Sequence, residues 1–163
     1  MKQVTVLGIG NILLRDEGFG VRVVEELLRR HTFPPYVQVL DGGTLGMELL
    51  RFLTGTDRLI IIDAIAGDGP PGTLYEFKDQ AVKSYFREKV SMHELGIQEV
   101  LASLEILGQP ITEITVFGVQ PASLDIGLDL SPPAVAAIDP VIARVVRQLE
   151  SWQVEVVKND AAS

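Results

Sequence analysis

The chain has 163 residues, 47% of them hydrophobic, and this length predicts a single domain. It contains no cysteine, which excludes disulfides, cysteine-bound zinc, iron–sulfur ligation and a thiol nucleophile. The 22 acidic and 14 basic residues give a net charge of −8, so nucleic acid is a poor partner. No apolar run approaches the roughly 20 residues of a membrane helix, and no signal-peptide pattern opens the chain, so we expect a cytoplasmic protein without a membrane partner.

Strand and helix patterns alternate along the chain. Apolar and β-branched runs predict strands at residues 4–9, 37–40, 58–64, 73–77 and 111–119. Helical periods predict helices at residues 19–30, 46–53, 92–107 and 132–152, with a helical turn at 81–86. The spacing of Ser91 and Glu94 indicates a capping box, Ser131 before Pro132 indicates an N-cap, and Pro140 predicts a kink or restart.

This alternation predicts the fold class. We expect a three-layer α/β/α domain over residues 1–163, with a central, mostly parallel twisted sheet of about five strands and helices on both faces. The tail from about Lys158 is expected to fray.

Acidic side chains follow three of the predicted strands. Asp16 and Glu17 lie in the loop after the first strand, Asp41 ends the second and Asp63 ends the third. Ligands of parallel sheets bind beyond the carboxyl ends of the strands, so we expect these four acids to converge at one edge. Crowded carboxylates repel one another, and a bound cation is the simplest explanation for such a cluster.

His93 supplies an imidazole at about the second position of its predicted helix. The positive end of a helix favours the neutral imidazole that binds metals, and two carboxylates with one imidazole leave room for outside ligands. Simpler roles remain open for the acids: Asp16 or Glu17 as the N-cap of the following helix, and Asp41 as a turn residue. His31, at the end of a helix, is not expected to be a ligand.

Other chemistries lack their motifs. Gly8 and Gly10 begin a dinucleotide fingerprint, but Leu13 stands where the third glycine is required. The chain has no G-x-S-x-G elbow, no H-E-x-x-H pair and no G-x-x-x-x-G-K phosphate loop.

Five segments in this order and spacing resemble the [NiFe]-hydrogenase maturation endopeptidases: GIGNILLRDEGFG, VLDGGTLGMELL, LIIIDAI, SMHELGI and FGVQP. The resemblance covers nearly the whole chain. It implies a cytoplasmic peptidase of α/β fold that removes the C-terminal extension of a hydrogenase large-subunit precursor after nickel insertion. It also implies metal contacts from Glu17, Asp63 and His93, and a catalytic or recognition role for Asp41.

Nickel is expected to arrive inside the precursor as a recognition handle, and other divalent metals are able to occupy the same ligands. A metal-dependent mechanism and an aspartic-type mechanism both remain open, as does the choice between Glu17 and its neighbour Asp16 as the ligand. Two other functions stay as alternatives: a Rossmann-like nucleotide-binding module, and a nickel-independent metallopeptidase of the same fold. No heptad pattern indicates an obligate oligomer, so we expect a monomer.

Overall fold

A computed structural model describes residues 2–82, 84 and 92–160 of the chain. The strands are β1 (Val4–Ile9), β2 (His31–Thr32), β3 (Val37–Gly43), β4 (Arg58–Ala64), β5 (Leu74–Lys78), β6 (Glu113–Val119) and β7 (Val157–Lys158). The helices are α1 (Phe19–Arg30), α2 (Leu49–Leu53), α3 (Met92–Ile106) and α4 (Pro132–Ser151), and a 3₁₀ turn spans Arg15–Gly18.

The main sheet has five strands in the order β3-β1-β4-β6-β5. The first four run parallel, and β5 pairs antiparallel with β6 at one margin. The mostly parallel five-stranded sheet predicted from the sequence is therefore confirmed. Its central strands β1 and β4 are almost wholly buried, because helices cover both faces.

Side chains along β1 alternate between two apolar cores, as the pleat of a strand requires. Val4 and Val6 join the core under α1 and α4, whereas Leu7 and Ile9 join the core under α2 and α3. These two cores establish the predicted three layers, with the sheet in the middle.

Several boundaries differ from the sequence-based expectation. β3 continues to Gly43 because its pairing with β1 extends beyond the apolar run, so Asp41 lies in the strand opposite Gly8 and not in a turn. The helix predicted at residues 46–53 begins only at Leu49. α4 begins at Pro132 as predicted and continues through Pro140 without the restart.

The tail, which is predicted to fray from about Lys158, is paired in the structure as far as Asn159. Val157 and Lys158 pair with Thr32 and His31 in a two-stranded ribbon. The Asn159 amide then donates to the Arg30 carbonyl at 2.8 Å. The tail thus holds the end of α1, and burial there lowers the pKa of His31.

Two local predictions fall largely on residues that the structure does not describe. The capping box at Ser91 lies outside the described residues, and so does most of the helical turn at 81–86, of which residues 81, 82 and 84 are helical. Within the described ranges, no helix has the length and apolar character needed to cross a membrane.

Candidate active site

The loop between β1 and α1 packs closely on the sheet at two glycines, each of which lies against backbone carbonyl groups. Gly10 has a φ of 131°, and a Cβ at that position would overlap the carbonyl oxygen of Glu17. A Cβ on Gly20 would overlap the carbonyl oxygen of Ile62 and come within 2.6 Å of that of Ile9. Only glycine permits this packing, which brings the 3₁₀ turn carrying Glu17 into contact with β4.

The same geometry leaves no space for a dinucleotide beside Gly10. The chain after Gly10 folds back so that the backbone of Glu17 occupies the space beside the glycine. In a dinucleotide site a pyrophosphate approaches the backbone at such a turn. Gly10 and Gly20 permit the close packing of this loop, which disfavours the nucleotide-binding alternative.

Asp63 lies near the carboxyl end of β4, between the neighbouring strands β1 and β6. Its residue is only 1% exposed, and its Oδ1 accepts a hydrogen bond from the Ala64 amide at 2.8 Å. By alternation Asp63 shares a face of the sheet with Leu59 and Ile61, whose side chains pack in the core under α3. A carboxylate buried this deeply on a central strand is costly and therefore points to a function.

The helix that carries His93 begins at the same edge of the sheet. α3 is followed by β6, whose first residue lies at the amino ends of the parallel strands. The end of α3 is therefore near those amino ends, and its start lies near the carboxyl ends of the strands. Further along α3, Ile97, Val100 and Leu104 pack on the face to which Asp63 belongs. The backbone therefore brings the start of α3 to the end of β4, although the side chain of His93 is outside the described part of the structure.

Asp16 has a structural role that its sequence position does not reveal. It is fully buried, and its Oδ1 accepts a hydrogen bond from the Ser131 amide at 2.7 Å. Its Oδ2 accepts from the Ser131 hydroxyl at 2.7 Å and from the amides of Ala122 and Ser123 at 2.8 and 3.1 Å. The residue does not cap α1, whose N-cap is Gly18.

These hydrogen bonds decide the charge of Asp16. Burial alone would raise its pKa, but the hydroxyl and the three amides stabilise the carboxylate, so the pKa of Asp16 is lowered overall. Both oxygens are engaged in tying the loop after β6 and the start of α4 to the loop after β1. Asp16 thus has a structural role, and Glu17 is the acid of this pair that we keep as the candidate metal ligand.

Asp41 lies on β3 with an exposed side chain. In the register it pairs with Gly8 and shares a face with Val37 and Val39, the face opposite to that of Asp63. Among the side chains that the structure describes, no three Asp, Glu or His residues lie close enough to hold a metal. The expected convergence of Asp16, Glu17, Asp41 and Asp63 into one cluster is therefore wrong, because two of them point elsewhere.

Exposed apolar side chains lie in the loops at this edge, a feature that the sequence patterns did not predict. The loops after β1 and β6 are joined by a bridge between Leu14 and Gly127, and the Gly10 amide donates to the carbonyl of Gly43, the last residue of β3. We call their exposed apolar residues the apolar rim: Ile12, Leu13, Leu45, Met47, Leu124, Ile126 and Leu128. Ile126 is 91% exposed, and exposed apolar patches of this kind mark binding surfaces.

Comparison with known proteins identifies the class. The family described as hydrogenase maturation protease matches residues 21–148. The hydrogenase 2 maturation protease of Escherichia coli strain K12 is 42% identical over 160 residues, covering 98% of each chain. The hydrogenase expression/formation protein HupD of Rhodobacter capsulatus is 42% identical over 164 residues, covering 99% of this chain and 78% of its own. The solved structure of the hydrogenase maturating endopeptidase HybD from E. coli superposes with a TM-score of 0.93 at 42% identity, covering 98% of this chain and 99% of that one.

These similarities span the whole fold, including the loop after β1 and the ends of β3 and β4. They define a peptidase, as the motifs predicted. The chain belongs to the hydrogenase maturation protease family.

Proposed function

We propose that this peptidase removes the C-terminal extension of a [NiFe]-hydrogenase large-subunit precursor after nickel has been inserted. The observation that carries the proposal is the buried Asp63, 1% exposed, next to the glycine-packed turn that presents Glu17. The relatives named for hydrogenase maturation support the choice of substrate.

The nickel enters the site as part of the substrate. Glu17, Asp63 and His93 offer two carboxylates and one imidazole, donors that suit divalent nickel and that other divalent ions also accept. By completing the coordination of a metal already bound in the precursor, the three residues hold the adjoining chain at the end of β4. Such positioning by itself lowers the barrier to hydrolysis of the peptide bond.

The apolar rim supports a folded protein as the substrate. Its loops follow the carboxyl ends of β1, β3 and β6 and surround the end of β4. Protein interfaces use apolar anchors of this type at their centre, with polar groups around them. The precursor therefore docks over the edge of the sheet and places its metal centre on Asp63.

Asp41 contacts the substrate chain in this proposal. Its exposed side chain on the face opposite Asp63 suits recognition better than proton transfer at the metal. Asp41→Asn is expected to raise KM for the precursor about fivefold with kcat within about twofold of wild type. The reason is that a charge at the periphery of an interface acts mainly on the association rate. Glu155→Gln, an exposed acid elsewhere on the chain, is the control. A fall of kcat by about a hundredfold, with loss of the acid limb of its pH profile, would assign Asp41 to general-base catalysis instead.

Intact-protein mass spectrometry tests the proposed function. The purified protein is incubated with [NiFe]-hydrogenase large-subunit precursors prepared with and without nickel. We expect a single cut near the C-terminus of the nickel-loaded form and no cut in the nickel-free form. Cleavage of both forms at equal rates, or of unrelated unfolded proteins, would favour a nickel-independent peptidase.

A further inference from the structure

A second concave surface lies between β5 and α4. It encloses about 450 Å³ and is lined by Glu76 and Lys78 of β5, Phe117 of β6, and Arg144, Arg147 and Gln148 of α4. We call it the β5–α4 groove. It forms because α4 packs on one face of β6. The same face of the neighbouring edge strand β5 is not covered by that helix.

The β5–α4 groove is cationic in a strongly acidic chain. Lys78, Arg144 and Arg147 line it with a single carboxylate, Glu76, although the net charge of the protein is −8. Ion pairs in the described part of the chain engage Arg22, Arg29, Arg30 and Arg58, and none includes a cation of the groove. The three groove cations are therefore available to an outside anion.

The groove is separate from the candidate active site. Lys78 pairs with Thr115, near the start of β6, whereas Asp63 lies near the carboxyl end of β4. Arg144 lies about 18 Å along α4 from Pro132, at a rise of about 1.5 Å per residue. A group bound in the groove therefore does not touch Asp63.

We propose that the β5–α4 groove is an exosite that binds an acidic segment of the protein substrate, an inference that rests on the function proposed above. Charge complementarity requires an anionic ligand, and the mixed lining favours a peptide over a polyphosphate. Glu76 repels a dense run of phosphates but accepts a hydrogen bond from a peptide amide. The carboxylates of a peptide are spaced far enough apart to meet the three cations without facing Glu76.

The test is the concentration dependence of precursor processing by the double variant Arg144→Glu/Arg147→Glu. We expect KM to rise about tenfold with kcat within about twofold of wild type, because two attractive contacts become repulsive far from the reacting bond. The control is Lys2→Glu/Arg51→Glu, which changes the net charge equally at two exposed positions outside the groove. KM of wild type should also rise with salt, and that of the groove variant should not. A KM equal to that of the control variant would overturn the exosite.

A single substitution and a peptide-binding assay test the groove independently of the double variant and of precursor processing. Arg147→Gln changes one exposed side chain and should still raise KM about threefold. A fluorescent decaglutamate peptide should bind wild type and the Lys2→Glu/Arg51→Glu control, and should lose affinity for Arg147→Gln. If wild type fails to process any precursor, the proposed function fails, while this peptide measurement still judges the groove. Displacement of the peptide by inorganic phosphate at equal concentration would contradict a peptide-specific groove.

Discussion

Asp63→Asn is expected to lower the rate of precursor processing at least about a hundredfold, the scale of losing a charged group that acts on the reacting centre. Asparagine has nearly the same shape and keeps an oxygen that accepts the hydrogen bond from the Ala64 amide. The fold should therefore survive, while the negative charge that we propose as a ligand of the substrate's metal is lost. His93→Ala should produce a loss of similar size, because imidazole is the nitrogen donor of the proposed set.

Single-turnover processing of nickel-loaded precursor measures this effect. Asp68→Asn is the matched control, since Asp68 is an exposed aspartate five residues further along the chain, in the loop after β4. Circular dichroism and urea unfolding should place the three variants close to wild type. Wild-type rates in both Asp63→Asn and His93→Ala would remove these residues from the site.

Asp16→Asn is expected to reduce the free energy of unfolding by about 3 kcal/mol, the scale of leaving buried donors without a charged acceptor. The substitution replaces one carboxylate oxygen by an amide nitrogen that faces donors from Ser131, Ala122 and Ser123. The loop after β6 and the start of α4 should loosen together. Urea unfolding at pH 7 measures the change, with the exposed Asp125→Asn in the same loop as the control.

The pH dependence of stability has a definite sign at Asp16. Its pKa in the folded protein is lowered below the ordinary value of 3.8, so the folded state favours the carboxylate. The stabilisation is therefore fully present above pH 3.8 and is lost as the pH falls through the lower folded pKa. The difference in unfolding free energy between wild type and Asp16→Asn should shrink over this acidic range. A difference that stays constant with pH would contradict an ionised, hydrogen-bonded Asp16.

Much of the fold can be predicted from local patterns. The bounds of β1, α1 and β4 agree with the sequence because each has an uninterrupted apolar or helical pattern and a clear end. β3 is longer than predicted because its last residues, Asp41 to Gly43, are held by pairing with β1 and not by apolar character. The ribbon between β2 and β7 joins residues 127 positions apart, and two-residue strands have no pattern of their own.

The candidate site is less predictable, because adjacent acids in the chain have different neighbours in space. Asp16 and Glu17 are alike in sequence, yet Asp16 bonds to Ser131, 115 residues further on, and no local spacing indicates this contact. Asp41 was expected beside Asp63 because both end a strand, but the register turns them to opposite faces. The motif that resembles the peptidase family predicted the right class because its glycines encode the packing of the loop that presents Glu17.

In the proposed function, the residues around the end of β4 complete the coordination of nickel carried by the precursor. X-ray absorption at the nickel edge, on nickel-loaded precursor frozen with the protein before cleavage proceeds, tests it most directly. We expect additional oxygen and nitrogen scatterers around nickel when wild-type protein is added, and a smaller change with Asp63→Asn. A nickel spectrum that is unchanged by wild-type protein, under conditions in which the complex forms and is later cleaved, would show that this protein does not coordinate the nickel.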